Sequence, residues 1–244
     1  PYTYLLLERV GYRDMDLSSV RTMQQAGGAL ERSLTERYSQ HMREKGGRLF
    51  VMYGQTEATA RIAYVPPERL SEKLGSAGQA IPGGRLRIEA MDDAGEPTSG
   101  EVVYDGPNVM LGYAEGRQDL GRGDELEGVL HTGDIGYLDD DGFLYITGRS
   151  KRIAKVFGLR VNLDEVERML REEGPAAVVA TDDHVWGLCA FGDDDTAAQL
   201  RNSLSRRLHL HPSALEIRHV DELPVTSSGK IDYRALERQI RALA

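Results

Sequence analysis

Phe143-Leu144-Tyr145-Ile146-Thr147-Gly148-Arg149-Ser150-Lys151-Arg152-Ile153-Ala154-Lys155-Val156 is the stretch on which the architecture turns. Its opening is a short β-type run, glycine and charge interrupt it, and Ile153 to Val156 read as a second strand. Upstream, residues 85–90 and 101–104 are further short apolar runs separated by Gly, Pro and Asp clusters, a pattern that suggests a small barrel or sheet. Downstream the pattern becomes strand, helix, strand, helix, strand, helix, which is an α+β module. The domain boundary is therefore placed at Gly148 to Lys151, dividing residues 1–148 from 149–244.

Working outward, residues 18–39 read as helix-rich with Gly27-Gly28 interrupting, and residues 48–52 as a short apolar strand. Asp139-Asp140-Asp141-Gly142 reads as the turn before a strand, because a calcium loop needs ligands over a longer span. Asn162 is placed to cap a helix, with Glu165 at the capping-box position and Val161 and Val166 as a hydrophobic staple. Leu200, Leu204 and Leu208 mark one later helical face, and Tyr233, Leu236, Ile240 and Leu243 another.

The 244 residues are 40% apolar, enough for a packed core, and the net charge of −9 argues against a nucleic-acid surface. The single cysteine, Cys189, cannot form an internal disulfide, and no Cys/His spacing suits zinc; a reducing cytoplasm fits. No apolar run of about 18 residues could span a bilayer. A chain that opens on Pro1 implies that something upstream has been removed.

The chemistry is concentrated in a few segments. Met52-Tyr53-Gly54-Gln55-Thr56-Glu57 follows a strand and offers a ring for stacking, a glycine for close backbone approach, a hydroxyl for a phosphate oxygen and a carboxylate for Mg²⁺. A polar loop after a buried strand is the plainer reading. His131-Thr132-Gly133-Asp134 and Tyr145-Ile146-Thr147-Gly148-Arg149 each set a charged residue beside glycine. The Asp can accept from two ribose hydroxyls and the Arg can offset phosphate charge, although either alone could be a turn or a surface ion pair. Lys230 follows Thr226-Ser227-Ser228-Gly229, a flexible-loop sequence. Ile231 stands where a phosphate-binding P-loop needs Ser or Thr, so that motif is excluded.

In order and spacing, Tyr53-Gly54-Gln55-Thr56-Glu57, Gly100-Glu101-Val102-Val103-Tyr104 with Gly112-Tyr113, Thr132-Gly133-Asp134, Gly148-Arg149 and Thr226-Ser227-Ser228-Gly229-Lys230 resemble the adenylate-forming superfamily. That superfamily contains acyl-CoA synthetases, carrier-protein adenylation domains and firefly luciferase. The likeness runs from about Val20 to the end. Through Gln55-Thr56-Glu57-Ala58-Thr59 and Phe157-Gly158-Leu159-Arg160 it is nearest to bacterial acyl-CoA synthetase-like members. It implies the end of a large α/β domain with a β-barrel or sheet subdomain, then a small, mobile α+β domain.

The resemblance also implies roles. Tyr53 would stack on adenine, Gly54 and Tyr145 would belong to the nucleotide site, Thr56 would meet the α-phosphate and Glu57 would help hold Mg²⁺. Gly27-Gly28-Ala29 would line the acyl and adenine pocket, with Leu30 where many relatives have proline. Asp134 would bind the ribose with Arg149 beside it. Lys230 would bridge the substrate carboxylate and the α-phosphate of ATP, offsetting charge where two anions meet. Lys151 would be the hinge, and Gly158 and Arg160 would border the channel for the thiol of CoA or a carrier-protein phosphopantetheine.

Relatives carry a Ser/Thr/Gly-rich loop ending in Pro-Lys that wraps the outer phosphates, and no such segment occurs here. The expectation is the C-terminal half of a ligase that forms acyl-AMP from a carboxylic acid and ATP, then passes the acyl group to the thiol of CoA or an acyl carrier protein. Its partner would be the missing N-terminal half, and this chain alone would not exchange pyrophosphate into ATP. The alternative is a non-catalytic nucleotide- or carrier-binding remnant of the same fold.

Overall fold

The computed structural model describes residues 2–90, 99–181, 184–226 and 229–242. Ser227, Ser228 and Leu243, singled out in the sequence, lie outside the described residues. The chain divides into two units, Pro1–Ile146 and Thr147–Ala244.

The first unit opens with α1 (Tyr2–Arg9), β1 (Thr22–Gln25), α2 (Arg32–Glu44) and β2 (Arg48–Tyr53). These are followed by the short strands β3 (Ala63–Val65) and β4 (Gln79–Ala80), and the four strands form a sheet in order β1-β2-β3-β4. Residues 18–39 are thus only partly helical. Thr22 to Gln25 pair in parallel with Arg48 to Val51, and this distant pairing overrides the local pattern. Leu34 and Tyr38 of α2 stand one helical turn apart and pack with Leu49, Val65 and Phe143 in one core cluster.

The second sheet of this unit joins β5 (Arg85–Glu89), β6 (Gly100–Asp105), β7 (Val129–Leu138) and β8 (Leu144–Arg149) in sequence order. Among the described residues no sheet closes into a barrel, so the subdomain is an open sheet. The acidic turn between β7 and β8 is held locally: Asp139 Oδ1 accepts from the Asp141 and Phe143 amides, at 3.1 and 2.8 Å. Lys73 spans the Asp139 and Asp141 carboxylates at 2.8 and 2.6 Å.

The second unit begins with a single-turn helix, Ser150–Arg152, and the hairpin of β9 (Ile153–Val156) and β10 (Leu159–Asn162). The hairpin turn is Phe157-Gly158, with φ of +49° and +82°, the left-handed pair that a two-residue turn of matching twist requires. Asn162 then caps α3 (Leu163–Arg171), its side chain accepting from the Asp164 and Glu165 amides. A sheet of β11 (Ala176–Thr181), β12 (His184–Cys189) and β13 (Leu215–His219) follows, with α4 (Asp194–Arg207) between its last two strands and α5 (Tyr233–Arg241) after it. Two hairpins therefore replace two of the single strands expected from the sequence.

β11 is buried on both faces. Ala176 and Val178 join the cluster that contains Val161 and Val166, while Ala177 and Val179 join Leu236 and Ile240 of α5. This double burial explains why Ala176-Ala177-Val178-Val179 shows no apolar-polar alternation. Burying each Leu or Ile of α5 contributes about 1.5–3 kcal/mol.

Candidate functional site

In the first unit the chain leaves β2 at Tyr53 and doubles back at once. A Cβ on Gly54 would lie 2.6 Å from the Ala60 carbonyl oxygen, so only glycine permits this approach. The turn is closed by Ala60 N–H to the Gln55 oxygen at 2.8 Å and Ile62 N–H to the Tyr53 oxygen at 2.9 Å. Thr59 and Ala60 take left-handed backbone angles that non-glycine residues rarely adopt. Asn108 holds them there. Its amide donates to the Ala58 and Arg61 oxygens at 2.7 and 2.9 Å, and its own oxygen accepts from the Tyr104 hydroxyl at 2.7 Å.

This fold-back aims two side chains at β7. The Tyr53 hydroxyl donates to Asp134 Oδ2 at 2.6 Å, and the Gln55 amide donates to the same oxygen at 3.2 Å and to the Thr132 carbonyl at 2.8 Å. Asp134 is 4% exposed, and its carboxylate is oriented by these two half-buried donors. Burial, followed by the charge and hydrogen bond of Asp134, pushes the Tyr53 phenol well above its usual range and keeps it a donor at neutral pH. Tyr53, Gln55, Thr132 and Asp134 thus form one polar cluster beside the core of Ala58, Ile62 and Tyr104.

Thr56 and Glu57 lie in the next turn, Thr56–Ala58, with Thr56 exposed. The Tyr113 hydroxyl donates to Glu57 Oε1 at 2.7 Å. That bond, then the residue's own amide, holds the Glu57 carboxyl below the usual carboxylate range, so it is ionised at neutral pH. Among the described residues no cluster of three or more His, Cys, Asp or Glu could cage a metal. A lone ionised carboxylate fits Mg²⁺, which takes one or two protein carboxylates and completes its shell with phosphates and water.

The remaining sequence candidates of this unit are set differently. Gly28 accepts a hydrogen bond at its carbonyl from the buried Gln25 amide, Ala29 is exposed, and Leu30 packs into the core with Leu34 and Tyr38. Leu30 therefore has an apolar reason to stand in that turn. Tyr145 stacks on Tyr137, ring centroids 5.2 Å apart, and packs against the core that includes Phe143.

In the second unit, Lys151 is exposed in the single-turn helix and the Arg149 amide donates to Asp164 at 3.0 Å. Gly158 is required by its left-handed turn, and Arg160 is exposed on β10. The described residues on either side of that loop are hydrogen-bonded to one another. Thr226 N–H bonds to the Lys230 oxygen at 2.7 Å and Gly229 N–H to the Thr226 oxygen at 2.9 Å, while Val225 and Ile231 form a bridge. Lys230 itself is exposed. Gln55 and Asn108 were not assigned roles from sequence; Gln55 lies inside the motif, but Asn108 carries no local signal.

Residues 3–114 match the family described as AMP-binding enzyme. The matched segment holds Tyr53, Gly54, Thr56 and Glu57, whereas Asp134 and Lys230 lie beyond it. A 2-succinylbenzoate–CoA ligase of Geobacillus sp. (strain WCH70) is 35% identical over 234 residues, covering 91% of this chain and 46% of the relative. Among solved structures, the O-succinylbenzoate coenzyme A synthetase of Bacillus subtilis, in complex with ATP and magnesium ion, matches with a TM-score of 0.66 at 31% identity, covering 90% of this chain and 46% of that one. The amide bond synthetase McbA of Marinactinospora thermotolerans matches with a TM-score of 0.71 at 30% identity, covering 97% and 50%. The chain spans about half the length of the curated relatives it matches.

Proposed function

We propose that this chain is the C-terminal half of an AMP-forming acid–thiol ligase, with residues 1–148 completing the large nucleotide-binding domain and 149–244 forming the small domain that carries the catalytic lysine. The observation that carries the reading is the Asp134 carboxylate, buried and oriented by Tyr53 and Gln55, on a chain whose relatives include CoA ligases. A carboxylate so fixed can accept from two vicinal hydroxyls of a ribose. Glu57 meets Mg²⁺, which when bound offsets the charge of the ATP phosphates. Tyr53 and Tyr145 border the adenine, Gly28 and Ala29 line the pocket, and Thr56 donates to the α-phosphate.

Lys230 places its ammonium between the substrate carboxylate and the α-phosphate. A carboxylate oxygen attacks the α-phosphorus and pyrophosphate leaves with the electrons of the broken P–O bond. The lysine lowers the repulsion as the two anions meet. In the second half-reaction a thiol, of CoA or a phosphopantetheine carrier, attacks the acyl carbon and AMP departs. Lys151 is the hinge between the two half-reactions, Arg149 accompanies the ribose, and Gly158 and Arg160 border the thiol's path. The missing N-terminal half supplies the acyl pocket and the outer-phosphate loop. A cytoplasmic setting suits the buried thiol of Cys189.

Calorimetric titration of AMP into this chain tests the reading: binding that Asp134→Ala weakens supports it. Absence of AMP binding, together with absence of carboxylate-dependent pyrophosphate exchange when the chain is joined to an upstream phosphate-binding half, would overturn it. The likeness to the amide bond synthetase favours a second reading of the acceptor, an amine in place of the thiol. Supplying preformed acyl-adenylate with CoA or with an amine separates the two.

A further inference from the structure

Glu167, in the middle of α3, is 4% exposed and its carboxylate has four partners, three by hydrogen bond and one by ion pair. Oε1 accepts from the Tyr233 hydroxyl at 2.8 Å and pairs with Arg171 at 2.7 Å. Oε2 accepts from Arg152 at 2.8 Å and from the Val178 amide at 3.0 Å. Arg152 is itself committed on every side. Its Nε donates to Asp164 at 2.8 Å, its Nη1 donates to the Val178 carbonyl at 2.8 Å, and its guanidinium lies 4.1 Å from the centre of the Tyr233 ring. Burial and the charge of Glu167 raise the Tyr233 phenol to about 12, which keeps its proton on the oxygen.

The chain positions of these partners carry the inference. Arg152 directly follows Lys151, and Tyr233 stands three residues after Lys230 at the start of α5. The hairpin holding Lys230 is sewn to that helix start: Asp232 N–H donates to the Pro224 oxygen at 2.9 Å, and the Asp232 side chain caps α5 by accepting from the Ala235 amide at 3.0 Å. A solvent-facing structural glutamate needs none of this. Burying a carboxylate under two guanidinium groups costs desolvation, and removing one member leaves the others uncompensated, so such a network enforces a single arrangement of the elements it joins.

We propose that Glu167 is a positioning residue that fixes the Lys230 hairpin relative to the Lys151 turn, so that the lysine is presented in one geometry. The catalytic part of this rests on the proposed function; the mechanical coupling within the unit does not. Tyr233→Phe removes one donor and keeps the ring under Arg152, and Glu167→Gln tests the hub itself.

Two measurements decide the proposal. In the chain, Tyr233→Phe speeds amide hydrogen exchange of Thr226, Gly229 and Asp232 by about tenfold, the weight of one bond to a charged group, while the amides of α4 exchange as before. In the longer ligase, the same variant lowers kcat for adenylation about tenfold with KM for ATP unchanged, and leaves transfer from supplied acyl-adenylate unaffected. Glu167→Gln does the same more strongly. Unchanged exchange at the hairpin, or an equal loss in both half-reactions, overturns the proposal. An unsubstituted ligase that forms no acyl-adenylate overturns the functional reading instead, and the exchange measurement still judges the coupling.

Discussion

Asp134 and Lys230 are presented to their surroundings in opposite ways. The Asp134 carboxylate is 4% exposed and its direction is set by Tyr53 and Gln55, donors from a turn that Asn108 locks in place. Lys230 is exposed on a short hairpin, and the order around it comes from backbone bonds and from α5 anchored at Glu167. The contrast fits two different tasks. A group that binds the same ligand atoms throughout a reaction gains from burial and fixed donors, because its reorganisation is completed during folding. A group that acts in one step only is better carried at the surface, with its base rigid and its ammonium solvated until needed.

The largest expected effect tests the lysine side of this contrast. In the proposed longer ligase, Lys230→Ala is expected to lower adenylation by several orders of magnitude and to leave transfer from supplied acyl-adenylate largely intact, measured as separate half-reactions. Equal damage to both would erase the distinction between a binding centre and a one-step centre. Next, Asp134→Ala weakens nucleotide binding by about 2–4 kcal/mol, since a charged acceptor is worth about 1.5–3 kcal/mol per bond before water compensates. Calorimetry with AMP reads this directly, and unchanged affinity would remove the buried carboxylate from the site.

Asn108→Ala addresses the scaffold beneath Asp134. It deletes the donor to two backbone carbonyls and is expected to cost about 1–3 kcal/mol in denaturant unfolding, with a parallel loss of nucleotide affinity. A stability loss with affinity untouched would show that the turn does not aim Tyr53 and Gln55. The smallest effect concerns Glu57, whose folded pKa is depressed first by the Tyr113 hydroxyl. A depressed carboxyl contributes stability that is present above its unfolded pKa and lost as pH falls through the folded value. Tyr113→Phe should therefore move the Glu57 titration, followed by carboxyl NMR, up toward the ordinary glutamate range and flatten the acid side of the stability profile.

Features set by neighbouring residues were readable in advance. Asn162 caps α3 as its spacing implied, and Val161 and Val166 share one core, because a cap and a staple involve residues within a single turn of chain. The segment 18–39 misled because β1 exists only through its pairing with β2. Glu167 gave no signal at all: a glutamate amid charged helix residues reads as solvent-facing, and only the arrival of Arg152 from one side and Tyr233 from the other buries it.

The order and spacing of Tyr53 to Glu57, Asp134, Arg149 and Lys230 carried the family resemblance unaided, since a motif is a property of the linear chain and of the side chains it supplies. Packing decided how those groups are held. Tyr53 and Asp134 are separated by 81 residues and meet at 2.6 Å only because β2 and β7 are brought together by their cores. A hydrogen bond requires its atoms within a few tenths of an ångström of the right place, and that precision comes from close-packed side chains far from both residues.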